Sequence, residues 1–163
     1  MQAANEVLPA GTWPEASATD HITLDYNERH RRRYRYVAQK GTEFLLDLAR
    51  ATVLNHGDGL KLEDGTIVKV EAAEEALTEI RASSTRELIR LAWHIGNRHL
   101  PAQLDADRIL IREDHVITDM LRRLGAEVRQ ISAPFTPESG AYANAHAHEQ
   151  HGFVFLSAGS HER

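Results

Sequence analysis

The sequence contains no cysteine and no long apolar run. Without thiols the chain forms no disulfide, so a metal ion would be held by imidazole, carboxylate, backbone or water. No apolar stretch approaches the roughly 20 residues that span a membrane, and no basic segment followed by an apolar block marks a secretory signal. We therefore expect a cytoplasmic protein that does not enter a membrane.

Signatures of catalysis and of nucleotide binding are missing as well. The chain has no nucleophile elbow, no GxxxxGK[ST] phosphate loop, no GxGxxG fingerprint and no HExxH zinc motif. Its formal net charge of −5 argues against general binding to nucleic acid. A length of 163 residues fits one domain or two small ones. These features predict a binding protein rather than an enzyme.

The first 75 residues predict a mostly β domain. Short β-like runs recur along this half, at 5–9, 21–25, 31–38 and 44–48. Asp64-Gly65 lies between the apolar runs Leu60–Leu62 and Ile67–Val70, which is a strong hairpin signal. The register stays open, because two-residue and three-residue loops match different apolar pairs.

A cluster of arginines lies in and just before the third of these runs: Arg29, Arg31, Arg32, Arg33 and Arg35. We interpret it as a solvated strand face, with a docking surface for an acidic partner as the functional alternative. The interleaved Tyr34 and Tyr36 are expected to belong to the core.

Residues 76–135 predict a second domain with the order strand, helix, two strands, helix, strand. Ser84 and Asp114 are suited to cap the two helices, and Gly96 and Gly125 to stop them. This order is the ferredoxin-like βαββαβ plan, so the fold class is α+β. After Pro134 the periodicity is lost, and residues 136–163 are expected to form a flexible tail that contains histidines.

Three of the ten histidines lie in or beside the second domain's loops and helix ends. His99 follows a helix end in GNRHLP; a hydrogen-bonded loop histidine is the simpler interpretation, but a two-fold dimer would pair two copies of it. His115 follows Asp114 at a helix start, where the helix dipole disfavours imidazolium and so keeps the ring able to bind metal. His94 lies on the polar side of its helix and is at most a secondary contributor.

A second group, His146, His148 and His151, lies in the predicted tail. Three imidazoles within six residues are typical of metal binding, although a chance cluster on a solvated tail is the alternative. Imidazole suits zinc, copper, iron and nickel, so the residues predict only a borderline divalent ion with nitrogen ligands. Ligands on a loop, a helix start and a tail favour exchange of the ion over retention.

The segments that carry these histidines resemble the UreE family of urease accessory proteins. The resemblance is carried by LAWHIGNRHLPAQL, RILIREDHVITDMLRRLGAEV and APFTPESGAYA, in that order. The N-terminal half agrees through ITLDYNERHRRRYR and GTEFLLDLARATVLNHGDGLKLEDG. The similarity covers nearly the whole chain.

The resemblance implies a nickel metallochaperone that delivers Ni(II) for assembly of the urease active site. It implies a homodimer, an N-terminal β domain similar to a chaperone peptide-binding domain, and a ferredoxin-like metal-binding domain. His99 would be the interface ligand, and His115 a further one. Glu113 stands where some members have histidine, so it is a possible secondary ligand together with Asp114. The implied partners are the urease apoprotein complex and its GTPase accessory protein.

Two other functions remain open from the sequence. The first is a peptide-binding or scaffolding module of the urease maturation complex, with incidental metal affinity. The second is a metallohydrolase, for which no catalytic motif is present. Under any of these functions we expect Cu(II) or Zn(II) to bind the histidines in vitro.

Overall fold

The N-terminal half forms one six-stranded sheet around its own core. The computed structural model describes residues 1–139. The sheet has the strand order β2-β6-β5-β1-β4-β3. Its strands are β1 (Gln2–Leu8), β2 (Asp20–Leu24), β3 (His30–Val37), β4 (Glu43–Val53), β5 (Gly59–Leu62) and β6 (Ile67–Ala72). A 3-10 turn (Glu15–Ser17) and the four-residue helix α1 (Tyr26–Arg29) connect them. The mostly β character predicted for this half is confirmed.

The hairpin predicted at Asp64-Gly65 is present, and its register is now fixed. Leu60 lies opposite Val68. The backbone N–H of Leu62 donates to the carbonyl of Thr66 across 2.8 Å, which closes a three-residue loop. Gly65 has φ of +86°, the left-handed conformation that such loops require and that glycine adopts at little cost.

The second half confirms the ferredoxin-like plan. Its elements are β7 (Glu74–Arg81), α2 (Thr85–Gly96), β8 (Ala102–Leu104), β9 (Ile109–Arg112), α3 (His115–Arg123) and β10 (Glu127–Pro134). The strands pair in the order β10-β7-β9-β8. Both helices pack on one face of this sheet, where the fully or nearly fully buried side chains are Ile80, Leu91, Ile95, Ile109, Ile111 and Leu121.

Both predicted helix caps are formed. The side chain of Ser84 accepts from the backbone N–H of Glu87, and that of Asp114 accepts from Ile117. Helix α3 ends at Gly125, which has φ of +88°. The amides of Gly125 and the next residue bond back to the last turn, as in a Schellman motif.

Two expectations about individual side chains are wrong. Arg29 is fully buried instead of lying on a solvated strand face, because two backbone carbonyls receive its guanidinium. Tyr36 is buried as expected, but Tyr34 is exposed because it lies on an edge strand beyond the reach of the core. Phe135, the last residue of the predicted second domain, is fully buried against Leu77 and Leu110, although no pattern in the sequence predicted this contact.

Arg29 and its neighbours join the two sheets. The guanidinium donates to the carbonyl of Leu54 at 3.2 Å in the first half and to the carbonyl of Phe135 in the second. The Phe135 ring packs edge-on against Tyr26, with centroids 5.6 Å apart. From β9, Arg112 lies 5.5 Å from the Tyr26 ring centroid and bonds the adjacent Asn27. The junction is therefore built on helix α1, next to the point where the chain leaves β10.

We predict that Arg29→Ala lowers the free energy of unfolding by about 3 kcal/mol. The change leaves a void and orphans two buried carbonyls, those of Leu54 and Phe135. Urea denaturation followed by circular dichroism measures the effect. The control is Arg31→Ala, which removes an exposed arginine two positions away. Equal stability of the two variants would contradict a structural role for Arg29.

A second charged group stabilises the other end of the second sheet. The Glu79 carboxylate is buried and lies within 2.9 to 3.2 Å of Arg108, Arg81 and Arg129. The hydrogen bond from Arg108, supported by the other two arginines, outweighs burial and lowers the pKa of Glu79 to about 2. A carboxyl whose pKa is depressed on folding stabilises the fold above its ordinary pKa of 4.5, and this contribution is lost as the pH falls toward 2.

We predict that Glu79→Gln costs about 2 kcal/mol at pH 7, a figure reduced for the partial exposure of the arginines. The difference from wild type should shrink as the pH falls below 4.5, because Glu79 in the unfolded wild-type chain then takes up a proton, which folding must release while the folded carboxylate stays charged. Unfolding curves at pH 7, 4.5 and 3.5 test this. Glu127→Gln, at an exposed position on β10, should show little difference at any pH. A constant difference for Glu79→Gln across this range would contradict the assignment.

Candidate metal-binding surface

The loop after α2 holds His99 in an unusual backbone conformation. Helix α2 ends at Gly96, and the amides of Arg98 and His99 continue the turn by bonding to the carbonyls of Ile95 and Gly96. His99 has φ of +57° and is the only described non-glycine residue with positive φ. This conformation costs a side-chain-bearing residue about 1 kcal/mol. The left-handed residue is therefore the histidine, three positions beyond the glycine predicted to stop the helix.

The His99 side chain is exposed, as a ligand that exchanges its ion must be. His115 is also exposed and opens helix α3, directly after the capping Asp114. Each histidine is thus anchored at a helix end by backbone hydrogen bonds, and each leaves its imidazole in solvent.

Strand pairing brings the two loops to the same end of the sheet. Strands β8 and β9 are antiparallel, with Ala102 opposite Ile111. The chain before β8, which carries His99, therefore lies beside the chain after β9, which leads to His115. A cavity of about 200 Å³ separates them and is lined by Leu100, Pro101, Ile111, Arg112, Glu113 and Asp114.

The residues predicted as possible secondary metal ligands differ in their exposure and in their neighbours. Glu113 and Asp114 are exposed and line this cavity as part of the loop that leads to His115. His94 is half-buried, and its ring meets that of Trp93 edge-on at 5.1 Å. His146, His148 and His151 lie outside the described residues. Within residues 1–139 no group of three or more histidine and carboxylate residues is close enough to hold a metal ion.

Helix α2 also carries an exposed apolar stripe that the sequence analysis did not identify. Ile89 and Trp93 are 65% and 64% exposed and lie one turn apart. Gly96, near the end of the same helix, is exposed, and no other part of the described chain covers the space beside its Cα, so the surface between Trp93 and the His99 loop is open. The signal was available, because Ile89 and Trp93 fall at i and i+4 outside the buried stripe of the same helix.

These features define a small two-domain α+β binding protein with exposed imidazoles, rather than a protein that cages a metal within the part of the chain described. No helix in residues 1–139 is long and apolar enough to cross a membrane.

Comparison with known proteins identifies the family. The family model described as "UreE urease accessory protein, N-terminal domain" matches residues 4–73, and the model for the C-terminal domain of the same family matches residues 75–162. A urease accessory protein UreE of a Chelativorans species is 59% identical over 134 residues, which cover 82% of this chain and 84% of the relative. Its counterpart from Bradyrhizobium sp. strain BTAi1 is 53% identical over 154 residues, covering 93% and 74%. That of Rhodobacter capsulatus is 50% identical over 144 residues, covering 88% of each chain.

The chain therefore belongs to the UreE family of urease accessory proteins. It is an accessory protein rather than an enzyme, and its role lies in urease maturation. The resemblance found in the sequence is confirmed.

Proposed function

We propose that this chain is a nickel metallochaperone, which carries Ni(II) as cargo for assembly of the urease active site. The observation that carries the proposal is the exposed His99 imidazole, held in a left-handed backbone conformation beside an uncovered apolar stripe. Strain of this kind is kept where a side chain must be presented in one direction. Nitrogen donors without thiolate suit a borderline ion such as nickel.

The proposed carrier is a homodimer that meets through helix α2. A single imidazole holds an ion weakly, but a two-fold axis beside His99 would give the ion two identical ligands. Ile89 and Trp93 supply apolar surface next to that position, and tryptophan is enriched among residues that dominate binding energy at interfaces. An ion shared between subunits at the surface is open to transfer to a partner.

The tail would begin close to this site. The amide of Thr136 donates to the side-chain oxygen of Gln103, and that of Glu138 donates to the carbonyl of Ala102. Ala102 is three residues from His99 along the chain. The tail histidines His146, His148 and His151 would thus be tethered near His99, where a tethered donor acts at high effective concentration.

His115, Glu113 and Asp114 would serve as a second receiving point on the other side of the cavity. In this proposal the ion passes between the tail, the His99 pair and these residues, and then to the urease apoprotein complex with its GTPase accessory protein in the cytoplasm. Carboxylates beside an imidazole provide weaker alternative ligands, which suits transfer rather than storage.

We predict that His99→Ala weakens nickel binding per dimer at least tenfold and leaves the fold intact. Isothermal titration calorimetry of the full chain with nickel sulfate measures affinity and stoichiometry. His30→Ala, which removes an exposed histidine of the first sheet, is the matched control. His99→Gly should lose nickel equally but unfold with a free energy about 1 kcal/mol higher than His99→Ala, because glycine relieves the left-handed strain. Unchanged nickel affinity in both His99 variants would refute the proposal.

We predict that Ile89→Ser with Trp93→Ser weakens self-association about a hundredfold, because the contact surface loses both of its large apolar side chains. Sedimentation equilibrium measures the dimer dissociation constant. The control is Val37→Ser, an exposed apolar position on the first sheet. Loss of nickel affinity should accompany loss of the dimer. A variant that stays dimeric would show that the chains meet elsewhere.

Activation of purified urease apoprotein complex at limiting nickel separates delivery from scaffolding. A carrier with His99 and the tail histidines replaced should fail to raise activity under these conditions. Full activation by that variant would favour a scaffolding module whose metal affinity is incidental.

A further inference from the structure

Strand β3 forms an open margin of the first sheet. It is the last strand in the order, and within residues 1–139 it is hydrogen-bonded to β4 alone. Near its end the chain returns toward β2, where the amide of Gln39 donates to the carbonyl of His21 at 2.9 Å. The five residues from Arg31 to Arg35 precede that contact, and all five are exposed. This stretch offers unpaired backbone groups to another strand.

The charge on this stretch is of one sign and is only partly neutralised. Arg33 lies 3.8 Å from Asp47, and Arg35 lies 2.7 Å from Glu43, so these two have carboxylate partners on β4. Arg32 bonds only the carbonyl of Leu48. Arg31 lies over the ring of Tyr34, 5.1 Å from its centroid. Among residues 1–139, Arg31 and Arg32 have no carboxylate within ion-pair distance.

Apolar surface accompanies the charge. Tyr34 is 48% exposed and Val37 is 58% exposed, although both lie on a strand that borders a well-packed core. Tyr34 is fixed between Arg31 and the ring of Tyr36, whose centroid lies 4.9 Å away. A strand added here would meet guanidinium groups and an ordered aromatic ring.

Charged residues on an edge strand also protect a protein against pairing with itself. A row of arginines prevents pairing with a second copy of the same strand, because like charges that face each other across two paired strands repel. The same row attracts a strand of opposite charge. The whole chain carries a net charge of −5, so this concentration of arginine is a local feature rather than a consequence of composition.

We propose that the Arg31–Arg35 edge of β3 binds an extended acidic segment of a partner protein, which adds to the sheet as a further strand. Backbone hydrogen bonds supply the pairing, Arg31 and Arg32 neutralise the carboxylates, and Tyr34 contacts alternate apolar side chains. This surface belongs to the first sheet and needs no metal, so it stands apart from the proposed nickel site.

The test uses the full chain and a fluorescein-labelled nonapeptide that alternates glutamate with valine. Fluorescence anisotropy should show binding that weakens as salt rises, because carboxylates and guanidinium groups are screened. Arg31→Glu with Arg32→Glu should weaken binding at least tenfold. The matched control is Arg122→Glu with Arg123→Glu, which reverses two exposed arginines of helix α3 and should leave the affinity within about twofold.

A second peptide tests the strand geometry without changing any protein residue. N-methylation of alternate residues removes backbone donors but keeps every carboxylate, so the methylated peptide should bind at least tenfold more weakly. Equal binding of the methylated peptide would overturn strand addition and leave only charge attraction. Binding of vesicles containing phosphatidylserine in preference to the peptide would overturn the choice of a protein partner. If the Arg31/Arg32 and Arg122/Arg123 charge-reversal variants bound the peptide equally well, the β3 edge would be excluded as its binding surface.

Discussion

The buried guanidinium of Arg29 is the interaction on which the relation between the two halves depends. It is fully enclosed, has no carboxylate ion partner among residues 1–139, and donates to the carbonyls of Leu54 and Phe135, which directly follow strands of different sheets. Burial lowers the pKa of this guanidinium, with the negative charge of Glu75 opposing the shift. A cation in such a place is tolerated because backbone carbonyls take its hydrogen bonds. Helix α1, which is one turn long, therefore fixes the position of Phe135, the residue that follows β10 in the second domain.

That junction has a direct bearing on the candidate metal-binding surface. Phe135 is fixed by Arg29 and Tyr26, and the residues after it run along β8 toward the His99 loop. The first domain thus helps to set where the tail begins, although its described residues lie outside the candidate ligand set. In the proposed mechanism the two halves contribute different parts of one process: the second half presents the His99 imidazole, and the first half fixes the residues from which the tail continues.

Much of the architecture could be predicted from the sequence because it is encoded locally. The hairpin follows from Asp64-Gly65, and the ends of α3 follow from Asp114 and Gly125, each of which acts on residues within one turn. The burial of Arg29 could not be predicted, since its partners lie 25 and 106 residues away and are backbone atoms, which carry no sequence signal. Phe135 was missed for a similar reason: a single aromatic after a strand shows no periodicity. At the candidate site, His99 and His115 could be named from the sequence as possible ligands, a role that stays a prediction. The left-handed backbone of His99 required coordinates, whereas the Ile89 and Trp93 spacing was a signal in the sequence that was overlooked.

Because β8 pairs with β9, the relative position of the His99 and His115 loops depends on a turn at the far end of this hairpin. The turn that joins these strands is closed by the amide of Asp105 bonding the carbonyl of Arg108, at the opposite end of the hairpin from His99. One residue inserted in that turn, if absorbed by sliding one strand, would move the two histidine loops past each other by about 3.4 Å and turn alternate side chains to the wrong face. The spacing between the two candidate histidines is therefore set by a turn that contacts neither of them. Natural variation in the length of that turn should be rarer than its exposed position would suggest.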